Sequence, residues 1–348
     1  MCAGGAWGVI QPVLMADIAA LVHDLGGMAQ KRQLVARGAR DLDLTRAVRT
    51  GEVIRVRNGW YSTLEEHSPQ VQAVRVGGRL TGISAIAAMD GWVLGDHPLH
   101  VSVNANAARL RSSRNRHVRF NVRAPRGVVL HWDDRELAAR GSAVSVGLVD
   151  ALVAVILDEE LETAVAALDW ALHTGVLDVV DFETIILRLP VDRRGIRDWV
   201  DHACESLPES LSRTRFRLEG HRVTTQLRMD DGRRIDLIVD EVAGIEVDGD
   251  QYHRATFAAD RSKDADITLM NLHALRPTAQ MVFTEWPRVA AMVNAALAMH
   301  RDFVPVSENS GMRTRSPFSA RGMTGWRRRP VRRIPEFSQR REAEGGGG

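Results

Sequence analysis

The chain has 348 residues, 45% of them hydrophobic and 26% charged, which is enough apolar material for two or three domain cores. Its net charge of +2 is unevenly spread: Gly311 to Gly348 carry ten arginines against three glutamates, so the other 310 residues sum to −5. The basic pI of about 8.8 therefore reads as a property of the tail rather than of a basic globule. Two cysteines, Cys2 and Cys204, exclude a disulfide framework and a cysteine-built zinc site. Met1 to Leu14 lack the basic start of a secretory signal. The longest apolar run, Val144 to Leu157, is broken by Asp150 and followed by Asp158-Glu159-Glu160, too short and too charged to span a bilayer. The expectation is a cytoplasmic protein with no membrane partner.

Residues 15–65 read as one small unit. Ala16 to Leu25 has the apolar spacing of a helix stopped by Gly26-Gly27, and Gln30 to Ala36 is a second helix ending near Gly38. Asp41 or Asp43 caps a third that runs to Arg49, with Gly51 just past its end. Val53 to Tyr61 alternates around Asn58-Gly59, a strong hairpin signal. Helices followed by a hairpin predict a winged helix-turn-helix. Its third helix would offer Arg46 and Arg49 to the major groove, and its wing Arg55 and Arg57 to the backbone. The competing reading is a winged helix used for protein docking, since Asp41 and Asp43 oppose phosphate. Gly27-Met28-Ala29, Leu34 to Gly38 and Gly51 to Tyr61 resemble the N-terminal domain of AbiEi-type antitoxins. That resemblance covers roughly fifty residues and implies operator DNA and a cognate toxin as partners.

Residues 66–195 form an α/β middle region whose order is similar to that of AbiEi-like proteins. Leu80 to Met89 is predicted helical, and Leu99 to Val103, Val118 to Val122 and Gly127 to His131 are predicted strands. Helices are expected over Val144–Ile156, Leu161–Thr174, Phe182–Leu189 and Ile196–Cys204. His100, His131 and His173 have no ligand spacing and read as ordinary histidines. Arg109 to Arg116 is a basic stretch read as a solvated loop in preference to a phosphate contact.

Residues 205–303 change pattern. Ser206-Leu207-Pro208-Glu209 is a capping box that starts a helix to Leu218. Strands are predicted at Arg222–Met229, Arg234–Val239 and Gly244–Asp248, then a helix over Phe257–Leu272, a strand at His273–Arg276 and a helix over Thr284–Met299. Asp236 sits in the apolar run Ile235 to Val239. Glu246 and Asp248, two apart, share a face of the next strand. An odd-length turn between the strands puts Asp236 on that same face. Clustered acids on an apolar strand suit Mg²⁺ or Mn²⁺, with Asp236, Glu246 and Asp248 as ligands. The competing reading is a wet sheet face.

Ile235-Asp236, Ile245 to Gly249, Tyr252-His253, Phe257 and Asp260 to Asp264 resemble the Vsr-like (very-short-patch-repair-like) branch of the PD-(D/E)xK nuclease superfamily, over roughly seventy residues from Glu209 to Met281. The resemblance implies a restriction-endonuclease-like α/β domain that hydrolyses DNA phosphodiester bonds. Asp236 and Glu246 would be its metal-binding acids, Asp248 and His253 would sit at the site with His253 as general base, and Glu209 would be the acid of the first helix. Glu209 has the alternative role of completing its capping box. Arg261 is either a DNA contact or an ion pair holding helix to sheet, and Asp264 reads as structural.

The sequence departs from the family at two places. Asp248 stands where the superfamily has lysine, leaving Lys263, one of only two lysines, to supply the ammonium. Asn271 to Thr278 has also lost an aromatic pair. Residues 304–348 form an Arg-rich tail expected to be disordered. The expected whole is a multidomain α+β protein that interacts with DNA through a metal-dependent endonuclease domain. The rival is an AbiEi-like antitoxin and transcriptional regulator with a catalytically relaxed nuclease fold. A third reading is reuse of both domains for protein contacts alone.

Overall fold

The computed structural model describes residues 16–121, 123–125, 127–133, 141–249 and 257–303, the last of these without the side chains of 257–260 and 301–303. It is an α+β structure that divides into two compact units. The first comprises residues up to Leu80 and Pro98–Val146, the second Thr81–His97 and the chain from Gly147 onward. The segment 66–195 is thus shared between both. No helix of the described residues is long and apolar enough to cross a membrane.

The first unit begins with α1 (Ile18–Asp24), β1 (Met28–Gln30), α2 (Lys31–Ala36), α3 (Asp41–Thr50), β2 (Ile54–Arg57) and β3 (Trp60–Ser62). The sheet order is β1-β3-β2, antiparallel throughout. Asp17 caps α1, and Gly51 ends α3 in the left-handed region at φ 79°. Neither Asp41 nor Asp43 is the cap residue of α3. Arg40 is, and the Asp43 carboxylate reaches back to its N–H at 3.1 Å. Ile18, Val22, Leu34, Leu44, Ala47 and Tyr61 bury one core. Met28 and Val56 pack with Val71 and Val74 of α4 (Pro69–Val76), a helix the sequence reading passed over.

A second sheet follows in the same unit: β4 (Arg79–Leu80), β5 (Leu99–Asn104) and β6 (Val128–Asp133), with β4 and β5 antiparallel and β5 and β6 parallel. The strand predicted from Val118 is not formed. Residues 110–120 close a loop in which Ser112 N–H donates to Val118 O at 2.9 Å and Phe120 N–H to Leu110 O at 3.2 Å. Alternation without a partner strand of matching length yields only the Arg111–Arg119 bridge.

The second unit opens with α5 (Gly82–Ala87) and continues through α6 (Leu148–Asp158), α7 (Leu161–His173) and α8 (Val179–Arg188). Where a helix was expected from Ile196, Val191–Trp199 is 3-10 and the chain beyond it is irregular. Then come α9 (Leu207–Leu218), β7 (Val223–Arg228), β8 (Arg234–Val239), β9 (Ala243–Ile245), α10 (Phe257–Leu269), β10 (His273–Leu275), α11 (Ala279–Thr284) and α12 (Trp286–Phe303). The closing helix expected over Thr284–Met299 is α12, and the short α11 before it, ending at Thr284, was not expected. The strand order is β10-β9-β8-β7; the β7-β8-β9 meander is antiparallel and β10 runs parallel to β9. Phe216, Leu237, Val239, Ile245, Val289 and Val293 bury one face, and Ile235, Ile238, Ile267 and Leu272 the other. This sandwiches the sheet between α9 with α12 and α10.

Candidate functional site

The turn from β8 to β9 holds three residues, Asp240 to Val242, the first with φ 50°. With Leu237 opposite Ile245, continuing the register sets Asp236 opposite Glu246. There the two strands stop pairing backbone to backbone. Val247 N–H donates to Asp236 Oδ2 at 3.0 Å, and Asp236 N–H reaches Glu246 Oε1 at 3.4 Å. Beyond Ile245 the chain follows β10 instead, with Glu246 N–H on Leu275 O at 3.0 Å and Asp248 N–H on Pro277 O at 3.1 Å. The sheet thus opens at the two carboxylates, and side-chain oxygens fill the hydrogen bonds a continuous ladder would have used.

Burial pushes the Glu246 carboxyl up to about 7, and the neighbouring Asp236 charge pushes the same way, while Lys263 opposes both. Lys263 on α10 donates to Glu246 Oε2. Asp236 is also held above the usual carboxylate range, again by burial first. Ser206 caps α9 through Glu209 N–H, but the Glu209 carboxylate does not return to the Ser206 N–H of a capping box; it accepts from Ser206 Oγ at 2.6 Å and from Glu205 N–H at 3.0 Å. It also turns toward the site, accepting from Gln226 Nε2 at 3.0 Å. Its carboxyl is raised by burial and, more weakly, by the Asp236 charge, against the Ser206 bond. Gln226 escaped the sequence reading, because nothing in Thr224-Thr225-Gln226-Leu227 announces its φ of 49°. That backbone kink lies across from Asp236, at the one position where the β7–β8 register is interrupted.

Asp248 turns elsewhere. Arg276 Nη1 donates to its Oδ1 at 2.9 Å, and Arg276 Nε donates to Asp264 Oδ1 at 2.6 Å. One guanidinium thereby ties the end of β10 to the segment after β9 and to α10 beside Lys263. Asp264, expected to be structural, is thus tied to the sheet through Arg276. Arg261 is exposed on α10. His253, and the side chain of Asp260, lie outside the described residues.

The unit also contains a buried ionic cluster that no motif announced. Asp169 on α7 is fully buried and accepts from Ser210 Oγ at 2.6 Å, Arg213 Nη2 at 2.7 Å and Asp201 N–H at 2.7 Å. Burial raises its carboxyl, against the Arg213 charge. Arg215 adds a bidentate pair to Glu162, at 2.6 and 3.1 Å. These contacts fix α9, and with it Glu209, on α7.

In the first unit, Arg49 and Arg55 are exposed and Arg46 is half-buried on α3. Arg57 does not reach out. Its guanidinium donates to Val74 O at 3.5 Å and to Arg109 O at 3.2 Å, and burial lowers its pKa. Both acids that would oppose phosphate are paired: Asp41 with Lys31 at 2.8 Å and Asp43 with Arg40 at 3.0 Å. His100 and His131 face each other across β5 and β6 at 3.2 Å, and burial takes His131 down to about 4.

A buried carboxylate, Glu246, and a half-buried one, Asp236, face each other beside one ammonium, with hard oxygen atoms that match Mg²⁺ or Mn²⁺. Among the described residues no third acid, histidine or cysteine joins Asp236 and Glu246 with all ligand atoms within 4.8 Å of one another. An ion there would draw its remaining ligands from water or a phosphate, as Mg²⁺ commonly does. Comparison with protein-family models and with curated proteins gave no match.

Proposed function

We propose that this chain contacts DNA through its first unit and hydrolyses phosphodiester bonds with a divalent cation in its second. The observation that carries the reading is Asp236 opposite Glu246 at the split of β8 and β9, with Lys263 on Glu246. The helix–three strands–helix–strand order around them supports the resemblance to Vsr-like PD-(D/E)xK nucleases. The first unit's order and its β1-β3-β2 sheet likewise support an AbiEi-like winged helix, with Arg46, Arg49 and Arg55 toward DNA.

Asp236 and Glu246 would hold the ion, which polarises a phosphate oxygen and lowers the pKa of a bound water. Lys263 favours the ionised form of Glu246 against burial and Asp236, and places one positive charge where the superfamily's lysine is missing. Gln226 holds Glu209 toward the same carboxylates. Arg276 neutralises Asp248, so an acid in the lysine's place does not add repulsion against phosphate.

The test is incubation of supercoiled plasmid with Mg²⁺ or Mn²⁺, beside Asp236→Ala and Glu246→Ala. Nicking or linearisation by the parent protein, lost in both variants, supports the reading. No cleavage, with DNA binding equal in all three, favours the second reading: an AbiEi-like regulator whose nuclease fold no longer cuts. Engagement of Asp248 by Arg276 is the observation on that side.

A further inference from the structure

Dividing the charge by unit changes what the sequence average conveyed. The first unit has 19 Lys and Arg against 10 Asp and Glu, net +9, and the second has 27 against 34, net −7. The globular part is therefore polarised, and the tail is not its only basic element. Much of the positive excess lies in one place. Between Asp96 and Asp133 the chain has seven arginines and no carboxylate.

The structure fixes part of that stretch against β2 of the hairpin and against α4. Arg57 donates to Arg109 O, Arg75 Nη1 to Ser113 O at 2.9 Å, and Arg116 Nη1 to the backbone oxygen of Arg55. Arg111 N–H donates to Val76 O at 3.0 Å. These guanidinium groups act as rivets, and they sit close to one another. Arg57 is depressed first by burial and then by Arg111; Arg75 is depressed by burial and by Arg116, against Glu66. Crowding like charges costs free energy unless an anion offsets it. Arg109, Arg114 and Arg119 do a different job. All three are exposed, and their guanidinium groups make no hydrogen bond or ion pair among the described residues.

We propose that the loop carrying Arg109, Arg114 and Arg119 is a second phosphate-binding surface, continuous with the β2–β3 hairpin and directed at the backbone of duplex DNA. It rests on the reading that the first unit contacts DNA, and it extends the footprint beyond α3 and the hairpin. Its contribution is independent of base sequence, because arginines on a loop held by backbone bonds meet phosphates and not base edges. Asp41 and Asp43, the acids near α3, are already paired, so they do not cancel it.

The test uses the full chain, a fluorescent DNA duplex and EDTA to prevent cleavage. Affinity is measured against salt for the parent protein, for Arg109→Gln/Arg114→Gln/Arg119→Gln, and for Arg46→Gln/Arg49→Gln. The loop variant is expected to bind at least tenfold more weakly on any sequence. Its slope of log K against log salt should be shallower by about 2 to 3, at about 0.9 per phosphate lost. Circular dichroism should match the parent, since these three side chains hold no structure. A parent that binds, with an unchanged slope in the loop variant, overturns the loop proposal and leaves DNA contact by α3 standing. Loss in the loop variant with none in the α3 variant keeps the loop and removes the helix. A parent that binds no duplex overturns both. Tighter binding to an RNA duplex of the same length overturns the assignment to DNA.

Discussion

At the scale of single residues, Glu246 has the sharpest consequence. Its folded pKa of about 7 lies above the ordinary value of 4.5, because burial and Asp236 disfavour its charge more than Lys263 favours it. For an acid shifted upward, the folded state binds the extra proton between those two values. The metal-free protein is therefore most stable below pH 4.5 with respect to this group. It loses on the order of 3 kcal/mol as pH rises through 7. A divalent cation needs the ionised form and restores that loss. The expected outcome is Mn²⁺ affinity that falls about tenfold per pH unit below 7, with close to one proton released per ion at pH 6, read by calorimetry in buffers of different ionisation enthalpy. A pH-independent affinity would place the ion elsewhere. Lys263→Met removes the ammonium that lowers that carboxyl, so the midpoint of the Mn²⁺ affinity profile should move to higher pH. An unmoved midpoint would mean that Lys263 does not act on Glu246 in solution.

At the scale of elements, the position of Lys263 depends on how α10 lies on the sheet, and Gly244 sets that distance. A Cβ there would meet Ile267 Cγ2 at 2.8 Å and Ile235 Cγ2 at 3.6 Å. Ile267 is fully buried and β-branched, so it yields little. Gly244→Ala should therefore cost about 1 to 3 kcal/mol, seen as a fall in melting temperature, and should weaken Mn²⁺ binding as α10 lifts away. Asp169→Ala leaves Arg213 buried without its carboxylate and should cost more, about 3 to 5 kcal/mol. Denaturant unfolding ranks the two variants, and equal losses would contradict the buried-charge account. These elements also mark how far the sequence could be read. Asp236 and Glu246 were legible because a carboxylate in an apolar run breaks period-2 alternation, and the Ser206 cap of α9 was legible because its chemistry is local. The Gln226 kink, the Arg276 bridge and the Asp169 cluster were not, since each joins residues far apart in the chain and no short pattern encodes them. Glu209 shows both sides: its cap was readable, but its turn toward Asp236 depends on Gln226.

At the scale of the molecule, the chain crosses between its two compact units more than once, so sequence-contiguous domains are the wrong pieces to separate. Residues 15–65 look removable in one dimension. In three, Met28 and Val56 belong to the same core as Val71 and Val74, which the deletion would uncover. The deletion also removes Arg57 and the Arg55 backbone oxygen, which anchor the arginine loop. The second unit keeps its own cores on both faces of β7–β10, built without any residue before Thr81. A variant lacking residues 1–65 should therefore lose hydrogen-exchange protection across α4, β4, β5 and β6, and lose DNA affinity beyond what the α3 arginines alone account for. It should retain protection in α9, β8 and β9, and bind Mn²⁺ with the parent's affinity. Mn²⁺ binding lost together with DNA binding would mean that the second unit's site needs the first unit for its integrity.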